Sequence, residues 1–264
     1  MTTASVMASL PGRKSKDLGR HERVSAGETD RYARQVMLFG RDGQERLDHA
    51  HIFIAGAGGL GCPIALYLAA AGVGTITIVD HDTVDLTNLN RQVLHYEKDV
   101  GRRKIDSVRE KLAAFNSQIK VNALSTTIDQ ANAADLVGDA DLIIDALDNF
   151  ETRYVLNQVA IEKGIPFIHG AISGFDGQAT VLIPGKTPCL RCLFPKAPPK
   201  VVFPAVGTTP GLIGMIQANE AIKYLTGTGE LLAGRLLILD GLRGTTDSIE
   251  IVRDEACTAC KETK

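Results

Sequence analysis

The segment that most constrains this chain is a short apolar run, His51–Ala55 (HIFIA), followed by Gly56-Ala57-Gly58-Gly59-Leu60-Gly61 and the apolar stretch Leu60–Ala71. A strand passing into a buried helix through spaced glycines has few structural solutions. In G-x-G-x-x-G the first glycine permits a tight turn, the second lets a phosphate approach the backbone, and the third lets helix pack on strand. N–H groups exposed at the helix start favour an anion. Thr75–Asp80 (TITIVD) reads as the next strand, and Asp80, 19 positions after Gly61, is placed to accept hydrogen bonds from ribose hydroxyls. The loop taken alone leaves two alternatives open: glycines that serve packing only, and a dinucleotide hydride-transfer enzyme with the same opening.

Strand and helix signals then alternate. Helical patterns at Gly101–Phe115, Asp129–Val137 and Phe150–Lys163 separate strand patterns at Ile119–Ala123, Asp141–Ala146 and Pro166–His169. This spacing implies right-handed βαβ units and a parallel sheet covered on both faces. After Gly170 the alternation is lost. Gln178–Ile183, Arg235–Asp240 and Ile249–Val252 read as strands, a helix covers about Gly211–Leu225, and the proline-rich Phe194–Pro210 reads as a long loop. Loops of that length in a compact domain commonly bind or cover ligands; a mobile loop without a binding role is the competing reading. The expected fold class is therefore α/β: a Rossmann-like, mainly parallel sheet with helices on both faces, continued by antiparallel strands.

Residues 1–28 are rich in Ser, Thr, Gly and charge without apolar periodicity, and are expected to form a mobile tail. A helix is expected to begin after Thr29 or Asp30. Residues 29–264 are expected to form a single domain, with a nucleotide-binding half over about 29–170 and a second half over about 171–264.

Composition narrows the partners. A net charge of -2 and the absence of Trp give no reason to expect nucleic acid or an anionic membrane. No stretch reaches the roughly 20 apolar residues of a membrane span. The basic Arg13, Lys14 and Lys16 follow the mildly apolar Thr3–Leu10, the reverse of a secretory signal. The cytoplasm is the expected compartment, where cysteines serve as metal ligands or catalytic groups more often than in disulfides.

The polar segment Asp80–Gln92 lies just past a strand's carboxyl end, where α/β sheets bind ligands. Arg91 and Lys104 could neutralise a triphosphate, and Asp148, read as ending another strand, could hold Mg²⁺. Each has a bland reading: Arg91 and Lys104 as solvated surface groups, Asp148 as the cap of the helix starting at Phe150. Their convergence on one sheet edge favours function.

Cys189-Leu190-Arg191-Cys192 and Cys257-Thr258-Ala259-Cys260 are two C-x-x-C pairs that together could complete a tetrahedral site. Their wide separation leaves redox dithiols open, although neither pair reads as opening a helix in a thioredoxin-like unit. Cys62, at the packed start of the first buried helix, is expected to be buried rather than reactive.

Taken together, Arg31-Tyr32-Ala33-Arg34-Gln35, the glycine loop, Asp82-Thr83-Val84 with Asn88-Leu89-Asn90-Arg91-Gln92, and Ala146-Leu147-Asp148-Asn149 resemble the signatures of the MoeB/ThiF/HesA adenylyltransferases, relatives of ubiquitin-activating enzymes. The resemblance covers about Asp30 to Cys260. It implies ATP-dependent adenylation of the C-terminal glycine carboxylate of a small ubiquitin-like sulfur carrier (MoaD- or ThiS-like, ending in Gly-Gly), with release of pyrophosphate. On that basis the nucleotide set would be Gly56, Gly58, Gly59, Gly61, Asp80, Thr87, Asn88, Leu89, Asn90, Arg91, Lys104, Asp148 and Asn149. Asp80 would bind ribose, Asn88, Arg91 and Lys104 would meet phosphates, and Asp148 would coordinate Mg²⁺. Arg34 would reach into the partner subunit's site in a homodimer; without the resemblance it reads as a surface residue. The resemblance also implies structural Zn²⁺ at the four cysteines.

The chain departs from several relatives in having no cysteine in the loop Leu193–Thr209, where they carry one for covalent attachment of the carrier. The expectation is an enzyme that stops at the acyl-adenylate. Ending four residues past Cys260, the chain is also expected to lack an appended rhodanese domain. Rival readings are a nicotinamide-dependent oxidoreductase, a nucleotide-sensing scaffold, and an adenylating enzyme for a peptide or tRNA-base carboxylate.

Overall fold

Strand β1 (His51–Ala55) is buried on both sides: Ile52 and Ile54 point into one hydrophobic layer, Phe53 and Ala55 into another. That near-continuous apolar run is what a central strand with helices on both faces requires. The protein is described from a computed structural model covering residues 31–199 and 204–261. The expected tail, residues 1–28, and the helix start at Thr29 or Asp30 lie outside the described residues.

One layer is covered by α1 (Ala33–His49), α2 (Gly61–Ala71), α3 (Lys104–Phe115) and, as defined below, the long helix α7. The opposite layer is covered by α4 (Ala133–Val137), α5 (Phe150–Lys163) and the one-turn α6 (Leu190–Leu193). Gly40, at φ 73° and ψ 175°, interrupts α1.

The remaining strands are β2 (Thr75–Val79), β3 (Lys120–Leu124), β4 (Leu142–Asp145), β5 (Phe167–Ser173), β6 (Asp176–Leu182), β7 (Arg235–Asp240) and β8 (Thr245–Glu250). The sheet order is β3-β2-β1-β4-β5-β6-β7-β8. Pairings are parallel from β3 through β5 and antiparallel from β5 to β8, the expected class. Strand order reverses between β1 and β4, so a crevice opens between the loops leaving their carboxyl ends. Open α/β sheets bind ligands at such switch points.

Several expected boundaries move, each for a local reason. α3 begins at Lys104 rather than Gly101, because Gly101 adopts φ 85° and Arg103 is extended. α4 is shorter than Asp129–Val137, because the Asp129 carboxylate accepts from the Ala131 and Asn132 amides and holds a turn. β5 runs beyond His169 because it pairs antiparallel with β6 as far as Ser173↔Asp176.

The terminal strand β8 is exposed at every position and so lacks an apolar signature. Ile251 and Val252, expected inside it, fall beyond it. α7 (Thr208–Thr226) starts three residues before the expected Gly211. Pro210 sits in its first turn, where a missing N–H costs nothing. The long loop therefore ends at Gly207 rather than Pro210.

Candidate active site and metal centre

The glycine loop leaves β1 beside the loop leaving β4, and the approach is close. Gly56 adopts φ 101°, and a Cβ there would meet the Ala146 carbonyl oxygen at 2.6 Å. A Cβ on Gly61 would lie 1.9 Å from the Gly56 carbonyl oxygen, so only glycine lets α2 start against the strand. The space at Gly58 is open, with nothing nearer than Gln92 Nε2 at 3.8 Å. These are the three jobs that the spacing predicts. A Cβ on Gly59 would lie 3.2 Å from Pro210 of α7, and one on Gly207 would lie 2.1 Å from the Asn90 carbonyl oxygen. The end of the long loop thus packs over the nucleotide loop and the Asn88–Arg91 segment.

Asp80 stands one residue past β2. Its carboxylate accepts from the Ala57 amide at 2.7 Å and the Asp82 amide at 2.8 Å, which fixes it beside the glycine loop. Lys104 is 5% exposed and donates to Asp82 at 2.7 Å, with Asp80 at 4.0 Å. It is no solvated surface lysine. Burial pushes the Asp82 carboxyl up, but the Lys104 hydrogen bond and charge more than offset this and leave it lowered.

Asp85, Thr87 and Asn88 form a capping box on the 3₁₀ turn Leu86–Asn88: Asp85 accepts from the Thr87 amide, and Asn88 Oδ1 accepts from the Asp85 amide. Asn88 Oδ1 and the Thr87 hydroxyl, which donates to Asp85, are therefore engaged in the fold. The Asn88 amide nitrogen has no hydrogen-bond partner among the described residues. Arg91 donates through one Nη to the Thr87 carbonyl and to Asn90 Oδ1, both at 2.9 Å. Leu89 closes the same turn through its amide to Leu86.

Contrary to the expectation, Asp148 does not end a strand; β4 closes at Asp145, three residues earlier. Nor does it cap α5. Asn149 is the cap, accepting from the Thr152 amide at 2.9 Å. Among the described residues the exposed Asp148 carboxylate has no hydrogen-bond or ion-pair partner, at the crevice where the strand order reverses.

Arg34 is exposed on α1. Its neighbours Tyr32 and Gln35 contact Gly72 and the Ala71 carbonyl, at the far end of α2 from the glycine loop. An 11-residue helix is about 16 Å long, so the chain does not bring Arg34 to its own crevice.

The four paired cysteines meet. Cys189 and Cys192 sulfurs are 3.9 Å apart, Cys189 and Cys257 3.7 Å, and Cys192 and Cys260 3.6 Å. A tetrahedron of thiolates at a Zn–S distance of about 2.3 Å has edges of roughly 3.8 Å, so the four can hold one metal ion of that size. Cys189 is the N-cap of the single turn α6, which follows the antiparallel strand β6 and belongs to no thioredoxin-like βαβ unit. Asn157 of α5 anchors this turn by accepting from the Leu190 amide at 2.8 Å.

Residues 32–260 match the model of the ThiF family. The chain belongs to the ThiF family. It is similar to the SAMP-activating enzyme E1 of Haloferax volcanii, 42% identical over 247 residues, 90% of this chain and 91% of that protein. It is equally similar to a sulfur carrier protein adenylyltransferase of Thermus thermophilus, 42% identical over 246 residues, 88% of this chain and 91% of that protein. Its fold resembles E. coli MccB crystallised with ATP, with a TM-score of 0.81 at 24% identity over 89% of this chain and 75% of that one. This ThiF-family protein is an adenylyltransferase, and use of ATP follows from that membership. No helix among the described residues is long and apolar enough to cross a membrane.

In this adenylyltransferase Cys62 is fully buried, its sulfur donating to the Ala57 carbonyl at 3.3 Å. Burial above all pushes its thiol up to about 12, so it is not a ready nucleophile. Sequence reasoning missed a set of buried polar and charged groups behind the crevice: Asp145, Arg153 and His169. Nothing in apolar periodicity marks a buried ion pair; the one available hint was a second aspartate three residues before Asp148.

Proposed function

We propose that the enzyme adenylates the C-terminal glycine carboxylate of a small ubiquitin-like sulfur-carrier protein with ATP. The carboxylate oxygen bonds to the α-phosphorus, the bond from that phosphorus to the bridging oxygen breaks, and pyrophosphate leaves. The observation that carries this reading is the convergence on one crevice of an open glycine loop, Asp80, Lys104 and Asp148, whose carboxylate has no partner among the described residues. The names of the two relatives at 42% identity point the same way.

Attack of one anion on another needs cations to lower the repulsion and to take up spreading charge. Lys104 and Arg91 are the cations on this chain, and Arg34 of a second copy would complete them as an arginine supplied in trans, with the fork that suits phosphate. We accordingly propose a homodimer. Asp80 would accept from the ribose, while the Gly58–Gly61 backbone and Thr87–Arg91 would surround the phosphates. Asp148 and Asn149 stand where Mg²⁺ bound to the phosphates would be held, and the metal would supply charge neutralisation there.

Zn²⁺ would occupy the four cysteines as a structural ion, since protein ligands fill all four positions. Thiolates kept reduced for a metal suit the cytoplasm. Residues 29–264 are then one adenylyltransferase domain, its second half carrying the metal and the carrier-facing loop. With Cys62 buried and the other four cysteines clustered, the acyl-adenylate is the final product and no thioester forms.

The test is ATP–pyrophosphate exchange with purified carriers ending in Gly-Gly. Carrier-dependent exchange without a thiol-sensitive adduct supports the reading. Absence of exchange with every carrier sinks the substrate assignment, and a stable adduct sinks the final-product assignment.

A further inference from the structure

The buried charges behind the crevice have a geometry that the reaction above does not use. Arg153 lies in the first turns of α5 and is 4% exposed. Its Nε meets both oxygens of Asp145, at 3.1 and 3.0 Å. One Nη donates to the Leu147 carbonyl and, at 3.1 Å, to the Gly170 carbonyl of β5. A single guanidinium thus ties the end of β4, the corner that follows it, and the neighbouring strand.

Asp145 is itself fully buried and over-determined. It accepts from the Leu147 amide at 3.1 Å and from His169 Nδ1 at 2.7 Å, and its backbone carbonyl accepts from Gln217 of α7 at 2.7 Å. Gln178 donates to His169 Nε2 at 3.2 Å, which fixes the tautomer with its proton on Nδ1. Both faces of the Leu147 residue are therefore held: its amide by Asp145, its carbonyl by Arg153. The next atom along the chain is the nitrogen of Asp148.

Among the described residues the Asp148 carboxylate has no partner, so its aim depends on the peptide plane that precedes it. We propose that Arg153 is a positioning residue that fixes the Leu147–Asp148 peptide and so aims the Asp148 carboxylate at the nucleotide-bound metal. This rests on the assignment of Asp148 to the metal made above. Lysine cannot replace arginine here. A single ammonium cannot reach the Asp145 carboxylate and two separate carbonyls in the plane that the fork spans. Outer partners that orient a metal ligand typically change metal affinity by about 10–100-fold when lost.

The experiment compares wild type, Arg153→Lys and Asp148→Asn by two readouts. One is binding of Mn²⁺ in the presence of ATP, without carrier, followed by loss of the free Mn²⁺ electron paramagnetic resonance signal. The other is the Mg²⁺ concentration that half-saturates ATP–pyrophosphate exchange with carrier. Circular dichroism and metal content at the cysteines report the fold. Arg153→Lys is expected to weaken Mn²⁺ binding and raise the half-saturating Mg²⁺ about tenfold or more, with the carrier KM unchanged. If that variant fails to fold, Asp145→Asn, which keeps the shape and weakens the hold on the guanidinium, is expected to shift both readouts several-fold in the same direction. A folded variant with unaltered Mn²⁺ binding and Mg²⁺ dependence overturns the inference. A wild type whose Mn²⁺ binding is insensitive to Asp148→Asn instead overturns the metal assignment beneath it.

Discussion

Lys104 donates to Asp82 across 2.7 Å and stands 4.0 Å from Asp80, so two carboxylates pin a nearly buried ammonium at the carboxyl edge of β2. The ammonium is pre-placed, and its cost of ordering is met by the fold rather than at the moment of reaction. Lys104→Ala is expected to lower kcat for exchange by about 10²–10³-fold, the scale for removing one preorganised charge stabiliser. Steady-state exchange at saturating ATP checks this; a loss confined to the ATP KM would place Lys104 in ground-state binding alone.

Arg34 sits at the far end of α2 from its own crevice, so the proposed role in adenylation requires another copy. Arg34→Ala and Asp148→Ala are each expected to be inactive. Mixed after subunit exchange, they should recover about a quarter of wild-type exchange, because half the dimers are mixed and each has one intact site. Mixtures no more active than the single variants would exclude Arg34 from a shared site.

Two buried histidines make stability depend on pH. Burial is the main cause that holds both His95 and His169 below the ordinary histidine value; for His169 the Asp145 carboxylate opposes it only in part. In the folded state they bind fewer protons than in the unfolded chain, so their contribution is fully present above about pH 6.5 and is lost as pH falls below it. The melting temperature is expected to drop between pH 7 and 5, and His169→Gln should flatten that slope. A melting temperature constant over this range would contradict the account.

The four sulfurs at tetrahedral spacing give a direct metal prediction. The purified protein is expected to contain one zinc per chain. Cys257→Ser should remove it and lower the melting temperature by about 5 °C or more, because the last residues lose their tie to α6. ATP binding should survive, since the cysteines pack against Ile161 near the far end of α5 from Asp148 and Asn149. Metal analysis, calorimetry and nucleotide titration separate these outcomes.

What the sequence revealed depended on how local each signal was. Gly56, Gly61 and Asp80 were legible because each answers to a steric or hydrogen-bonding need within one βαβ unit. Cys189, Cys192, Cys257 and Cys260 are legible as two C-x-x-C pairs that could share one ion, while their separation leaves redox dithiols open until the resemblance implies zinc. The sequence shows β8 only at its end, over Ile249–Val252, because an exposed edge strand carries no apolar alternation, and it places the start of α7 late because Pro210 in its first turn looks like a breaker. Asp145, Arg153 and His169 were invisible because their partners lie on different elements, and Asp148 was misplaced by three residues because Asp145 closes β4. Arg34 was assigned only through the family resemblance; nothing on its own helix marks it.

Adenylate transfer in this crevice is proposed to depend on the exposed carboxylate of Asp148. Asp148 makes no contact among the described residues that the fold needs, so Asp148→Ala should keep its circular dichroism spectrum and zinc content. The decisive measurement is carrier-dependent ATP–pyrophosphate exchange by wild type and Asp148→Ala, side by side. The account predicts Mg²⁺-dependent exchange in the wild type and a loss of about 10²-fold or more in the variant; equal exchange in the two, with the fold intact, would contradict it.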